Sequence, residues 1–137
     1  MTRVNKALLW WLVSLLCIAG VVFLFTQPGT ESAGLSTRIA EFCWKWTHLL
    51  FPGLKFEHFH ILIRKLAHFA THAVLAFTIL RASRYSFQRK GITLFVTVLL
   101  AGAVAIFDET AQLQILGRSS SSIDAIINLV GACAGIC

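Results

Sequence analysis

Residues 7–25 read ALLWWLVSLLCIAGVVFLF, an apolar run without a single charged side chain. At about 1.5 Å per residue, a helix of this length spans roughly 28 Å, close to the apolar thickness of a bilayer. A secretory signal has a shorter apolar region and ends in small residues before its cleavage site, whereas this run ends in Phe-Leu-Phe-Thr-Gln-Pro. The run therefore predicts a transmembrane helix that the protein retains.

Three further apolar runs follow this one. The overall composition agrees with a membrane protein, because 57 % of residues are hydrophobic, 13 % are charged and the mean hydropathy is +0.76. We predict one domain over residues 1–137, an all-α four-helix transmembrane bundle with helices at 7–25, 61–80, 92–116 and 123–137.

A polar segment separates the first two predicted helices. Apolar residues recur at helical spacing from Leu35 to Leu50, with Ser36 placed to cap the helix and Pro52-Gly53 to end it. Trp44 and Trp46 suit the level of lipid headgroups, so we expect an outer-face interfacial helix lying on the membrane. The alternative is a helix packed on loops of the protein itself.

The basic residues predict the orientation. Residues 81–90 form a short loop with four cations and no acid, and Arg3 and Lys6 precede the first helix. Short basic loops stay in the cytoplasm. We therefore expect a multi-pass protein of the cell membrane with both termini cytoplasmic.

Several other classes of function are disfavoured. The basic residues flank apolar runs instead of forming a patch, which argues against nucleic acid as a partner. His68 and His72 have the spacing of a helical metal pair, but such pairs in polar stripes are more often hydrogen-bonded, so we predict no metal and no cofactor. Gly131 and Gly135 predict close helix packing within the chain, with a homo-oligomer as the alternative.

Ionisable groups inside a bilayer are costly, and here they cluster at one level. Arg64 lies seventeen residues from Arg81, and Asp108 lies seventeen residues from Gly91, about 25 Å in each case. Helical spacing places further polar residues on the same faces. The predicted ligand-binding set is Arg64, Lys65, His68, Asp108, Glu109, Gln112, Arg118, Asp124 and Asn128.

Two interpretations of this set remain open. It is either a buried salt-bridge cluster that holds helices together or a polar pocket open to the outer surface. In both cases we expect Arg64 and Asp108 to interact, directly or through one intervening group, because an unpaired charge near lipid is costly.

Three motifs in this order resemble the VanZ-like family: Arg64-Lys-Leu-Ala-His68, Asp108-Glu-Thr-Ala-Gln112, and Gly117-Arg118 followed by Asp124-Ala-Ile-Ile-Asn128. The resemblance implies a four-helix integral membrane protein, and the family is named after an accessory protein that raises resistance to the glycopeptide teicoplanin. The resemblance implies that the family's polar positions fall on the residues of the set above other than Asn128. Leu116 and His72 depart from the family pattern, which often has proline and an aromatic residue there.

Two classes of function follow. The first is a cell-envelope accessory protein whose partners are membrane lipids, a lipid-linked cell-wall precursor or a glycopeptide antibiotic. The second is a membrane enzyme, a hydrolase or transferase that uses Asp108, Glu109 and His68 as acid–base groups. In that case Arg64 and Arg118 would steady a phosphate.

Overall fold

A computed structural model describes residues 2–26, 29–113 and 122–137, and nearly all of them are helical. The all-α prediction is confirmed, since these residues contain no strand. The described helices are α1 (Arg3–Thr26), α2 (Gly29–Leu50), α3 (Phe56–Ser86), α4 (Lys90–Leu113) and α5 (Ser122–Ile136).

Helix α3 extends beyond its predicted apolar run at both ends. It has 31 residues, roughly 46 Å, which exceeds the apolar thickness of a bilayer. An apolar run marks only the part of a helix that suits lipid, whereas backbone hydrogen bonding continues into polar flanks. Helix α4 is described as far as Leu113, so the end predicted at Leu116 lies outside the described residues.

Helix α2 begins earlier than predicted. It is helical from Gly29, so Ser36 lies inside the helix and its prediction as a cap was wrong. The Ser36 hydroxyl instead lies 3.1 Å from Nε2 of His60 on α3. The predicted end is confirmed, because α2 stops at Leu50 and Pro52-Gly53 form a turn.

Three helices within the described residues are long and apolar enough to cross a membrane: Arg3–Leu24, Phe56–Ser86 and Lys90–Gln112. Helix α5 is apolar but has only 15 residues, about 22 Å. Large apolar side chains stay exposed on α1 and α4, among them Leu8, Leu16, Phe95 and Leu99. An apolar exterior of this kind indicates that lipid covers these helices.

Helix α3 is the centre of the structure and contacts each of the other four helices. Arg3 at the start of α1 donates to the carbonyls of Arg84, Tyr85 and Phe87, so α1 and α3 are antiparallel. The core between the helices is small and consists of Leu75, Ala76, Ile79, Ala101 and Ala132.

Helix α5 runs parallel to α3 in close contact. A Cβ atom added to Gly131 would collide with the backbone carbonyl of Phe69, and one added to Gly135 with that of Ala73. The prediction that these two glycines serve packing within the chain is confirmed. Arg3 of α1 and Ile136 of α5 therefore lie at the same end of the structure as the connection between α3 and α4.

Candidate functional site

A buried carboxylate lies at the centre of the site. Asp108 on α4 is 2 % exposed, and each of its oxygens accepts a hydrogen bond. Gln112, one turn further along α4, donates to Oδ1 at 2.6 Å, and Asn128 on α5 donates to Oδ2 at 2.9 Å. A carboxylate buried away from water needs such donors, because desolvation otherwise penalises it heavily.

His68 on α3 extends this hydrogen-bond network through Asn128. Its Nδ1 lies 3.2 Å from Oδ1 of Asn128. Because the Asn128 amide group donates to Asp108, its oxygen must accept, and the proton therefore sits on Nδ1 of His68. The same nitrogen is 3.9 Å from Oδ2 of Asp108. One asparagine thus orients both the histidine and the carboxylate.

His72 approaches the carboxylate from the other side. It is completely buried, and its Nδ1 donates to the His68 carbonyl at 3.1 Å. Its Nε2, the nitrogen left to gain or lose a proton, is 3.9 Å from Oδ2 of Asp108. The sequence prediction left His72 out of the site because it departs from the family pattern. The spacing of four residues between His68 and His72 was the sequence feature that could have indicated its place in the site.

We call His68, His72, Asp108, Gln112 and Asn128 the polar cluster. Around it lie further ionisable groups. Asp124 at the start of α5 is buried and lies within electrostatic range of His68. Half-buried Glu109 lies within electrostatic range of Asp108, Asp124 and Arg64.

Two side-chain oxygens in this region can accept further hydrogen bonds. Oε1 of Gln112 and Oε1 of Glu109 are buried and have no hydrogen-bond partner among the residues that the structure describes. A buried acceptor without a partner costs about 1–3 kcal/mol. The arrangement can therefore accept hydrogen bonds from an incoming group, and the imidazoles beside Asp108 can relay a proton.

The expected interaction between Arg64 and Asp108 stays a prediction, and the two residues are offset along α3. Asp108 lies beside His68 and His72, deeper along α3 than Arg64, and Arg64 lies within electrostatic range of His68. Helix heights from residue counting missed the offset because they ignore the tilt of one helix against another.

Two predicted residues are not placed in this network. Lys65 is half-buried, and no hydrogen bond or ion pair joins it to the polar cluster within the described ranges. Arg118 lies outside the described residues. Across residues 2–26, 29–113 and 122–137, no group of three or more His, Cys, Asp or Glu side chains is arranged to hold a metal ion.

Helix α2 packs at the same end of α3 as Arg64. Trp44 contacts Phe56 and Phe59, with ring centroids 5.5 and 5.3 Å apart, and thereby attaches α2 to the first turn of α3. Trp46 is 70 % exposed. The two tryptophans, expected together at the headgroup level, therefore face different surroundings.

Of three comparisons with known proteins, the one with protein families found a match. No curated protein and no solved structure matches the sequence. The model of one family, described as VanZ/LLP1, matches residues 10–137, which include most of α1, all of the other described helices and every residue of the polar cluster. With three apolar helices of membrane-spanning length and this family match, the chain is a membrane protein and belongs to the VanZ/LLP1 family.

Proposed function

We propose that the chain forms a four-helix transmembrane bundle with both termini in the cytoplasm. Helix α5 supports a fourth span, because it packs along α3 and so shares its depth. The start of α1 and residues 81–90, where α3 ends and α4 begins, carry six cations and no acid. By the positive-inside rule this end faces the cytoplasm, and the polar cluster lies toward the outer face.

Helix α2 then lies at the outer surface. Its face toward α3 carries Ala40 and Trp44, whereas Ile39, Phe42, Trp46 and Leu49 are exposed on another face. A third face carries Arg38, Glu41 and Lys45. A helix with one packed, one apolar and one charged face suits the boundary between protein, lipid and headgroups.

The polar cluster and its rim act as a binding site in this proposal. The ligand is the polar part of an envelope lipid, of a lipid-linked cell-wall precursor or of a teicoplanin-type lipoglycopeptide, and the protein is an accessory factor in tolerance of the antibiotic. The observation that carries the proposal is the pair of unused buried acceptors on Glu109 and Gln112, close to the cation of Arg64. Such ligands are rich in hydroxyl and amide donors, which would satisfy these acceptors.

A second candidate is a membrane enzyme acting on a lipid-linked precursor. It is favoured by the 3.9 Å approach of both imidazoles to Asp108, a distance that a bound substrate can shorten. In this candidate Asp108 and His68 exchange a proton with the substrate, and Glu109 is the second acid–base group.

The decisive variant is Glu109→Gln. Glutamine keeps the shape of the side chain and removes its charge, and Oε1 of Glu109 holds no hydrogen bond to lose. We expect cells producing this variant to have normal membrane abundance of the protein but teicoplanin tolerance reduced to that of cells without it. Growth inhibition and immunoblotting of membranes measure the two quantities.

The matched control is Glu57→Gln, which removes an exposed acid from the first turn of α3. It should change neither quantity. Full tolerance with Glu109→Gln would contradict the proposed site, and a parallel loss of abundance would assign Glu109 a structural role. Incubating the purified protein with a polyprenyl-linked precursor separates the two candidates, because only an enzyme changes the mass of that precursor.

A further inference from the structure

A cavity lies at the opposite end of the bundle from the polar cluster. It has a volume of about 600 Å³, is open on one side and is lined by the start of α1, the end of α3, the start of α4 and the end of α5. Three of its lining residues are cations, Arg3, Arg84 and Lys90, and three are aliphatic, Leu80, Leu94 and Ile136. The cavity therefore combines a basic mouth with an apolar wall.

The charge around this cavity is uncompensated. All six acidic residues of the chain belong to α2, to the first turn of α3, or to the parts of α4 and α5 near the polar cluster. Arg84 and Lys90 are exposed, and neither side chain has an ion pair or hydrogen bond in the described part of the chain. Two cations are thus available to an anion at this mouth.

Arg3 and α4 increase the attraction for an anion. Arg3 donates to three carbonyls at the end of α3 and so offsets the negative end of that helix dipole. Helix α4 begins at Lys90, on the cavity wall, so its positive end adds to the field. Arg3 acts here as a positioning residue, whereas Arg84 and Lys90 are the anion contacts.

We propose that this cavity binds one anionic phospholipid, with the phosphate at Arg84 and Lys90 and an acyl chain along Leu80, Leu94 and Ile136. A basic cavity between helices, at the end that the proposed topology places in the cytoplasm, suits an acidic headgroup. The apolar wall favours a lipid over a free phosphate, because Leu94 is half exposed and continues into the exposed face of Phe95 and Leu99. This site is separate from the polar cluster and does not depend on its function.

Native mass spectrometry of the full chain tests the proposal. The protein is purified in detergent and incubated with equal amounts of phosphatidylglycerol and phosphatidylcholine. We expect one copy of phosphatidylglycerol to stay bound under activation that removes phosphatidylcholine. Arg84→Gln and Lys90→Gln should each lower the bound fraction about tenfold, since each removes one charge-assisted contact.

The matched control is Arg89→Gln. Arg89 is exposed in the same basic connection but does not line the cavity. This variant should retain the lipid to within about twofold, because a discrete site responds to contact geometry and not to net charge alone. Equal losses from Arg84→Gln and Arg89→Gln would mean a diffuse surface field and would overturn the proposal.

Two further results would also overturn it: equal retention of both lipids, or displacement of phosphatidylglycerol by soluble glycerol 3-phosphate, which would identify a free phosphate as the ligand. Circular dichroism checks that each variant is folded. If Arg84→Gln loses helicity, Lys90→Gln alone decides, and wild-type retention of the lipid by Lys90→Gln then contradicts the site.

Discussion

At the scale of single residues, the cost of burying Asp108 explains the polar cluster. An isolated carboxylate in an apolar interior is strongly unfavourable, and neutralising partners must come from neighbouring helices. Here α4 supplies Gln112, α5 supplies Asn128 and α3 supplies two histidines. The cluster therefore links three helices through one side chain, whatever else it binds.

The first prediction concerns the direction of these hydrogen bonds. Both oxygens of Asp108 accept from amide groups, so Asp108→Asn would place an amide donor against another donor. We expect the variant to lose about 1–3 kcal/mol of stability. Thermal unfolding in detergent, followed by circular dichroism, measures the loss.

The exchange Asp108→Asn with Asn128→Asp is the matched rescue. Asn at 108 can donate to Asp at 128 and still accept from Gln112, while Asp at 128 still accepts from His68. The double variant should recover most of the lost stability. If it is no more stable than Asp108→Asn alone, the assigned hydrogen-bond directions are wrong.

At the scale of helices, α5 and α3 pack closely because two glycines of α5 have no side chain at the contact. Without a Cβ at Gly131 and Gly135, the backbone of α5 reaches the carbonyls of Phe69 and Ala73. This approach also sets the rotation of α5, and the rotation turns Asn128 toward Asp108 and His68. Packing at the glycines and hydrogen bonding at the cluster therefore support each other.

The second prediction is that Gly131→Ala and Gly135→Ala each destabilise the protein by about 1–3 kcal/mol, because overpacking forces the two backbones apart. Thermal unfolding in detergent measures this. Gly20→Ala and Gly102→Ala are matched controls in α1 and α4, since an added Cβ meets nothing within 4 Å there. Alanine is the better helix former, so the controls should be neutral or slightly stabilising. Equal losses at all four positions would contradict the packing argument.

At the scale of the whole molecule, the charges divide the structure into two unlike ends. Six of the twelve cations lie with no acid at the start of α1 and in residues 81–90, which include the end of α3 and the start of α4. The other six cations and all six acids fall within residues 31–65 and 108–124 of the sequence. This asymmetry supports the proposed orientation, in which the two proposed sites lie in opposite leaflets.

The third prediction tests that orientation by cysteine labelling of intact cells. The four native cysteines are free thiols, so they are first replaced by alanine. A cysteine at Gly53, exposed between α2 and α3, should react with an impermeant reagent, and one at Gln88, exposed between α3 and α4, should react only after lysis. Labelling of Gln88→Cys in intact cells, with protection of Gly53→Cys, would invert the topology.

The sequence alone determined the helical class and the residues that cannot face lipid. Apolar run lengths predicted α1, α3 and α4, because the thickness of a bilayer sets how many apolar residues a span needs. Helical periodicity placed His68, Asp108, Gln112 and Asn128 on inward faces, since residues four apart share a side of a helix. It also contained the signal for His72, in its spacing from His68.

Only the tertiary structure decided which of these residues meet. Periodicity gives an angle around a helix's own axis and a height along it, but not the rotation and tilt of one helix against another. Those depend on close packing, here at Gly131 and Gly135, where backbone contact leaves little freedom. For this reason Asp108 lies beside His68 and His72, and Trp44 is packed while Trp46 is exposed.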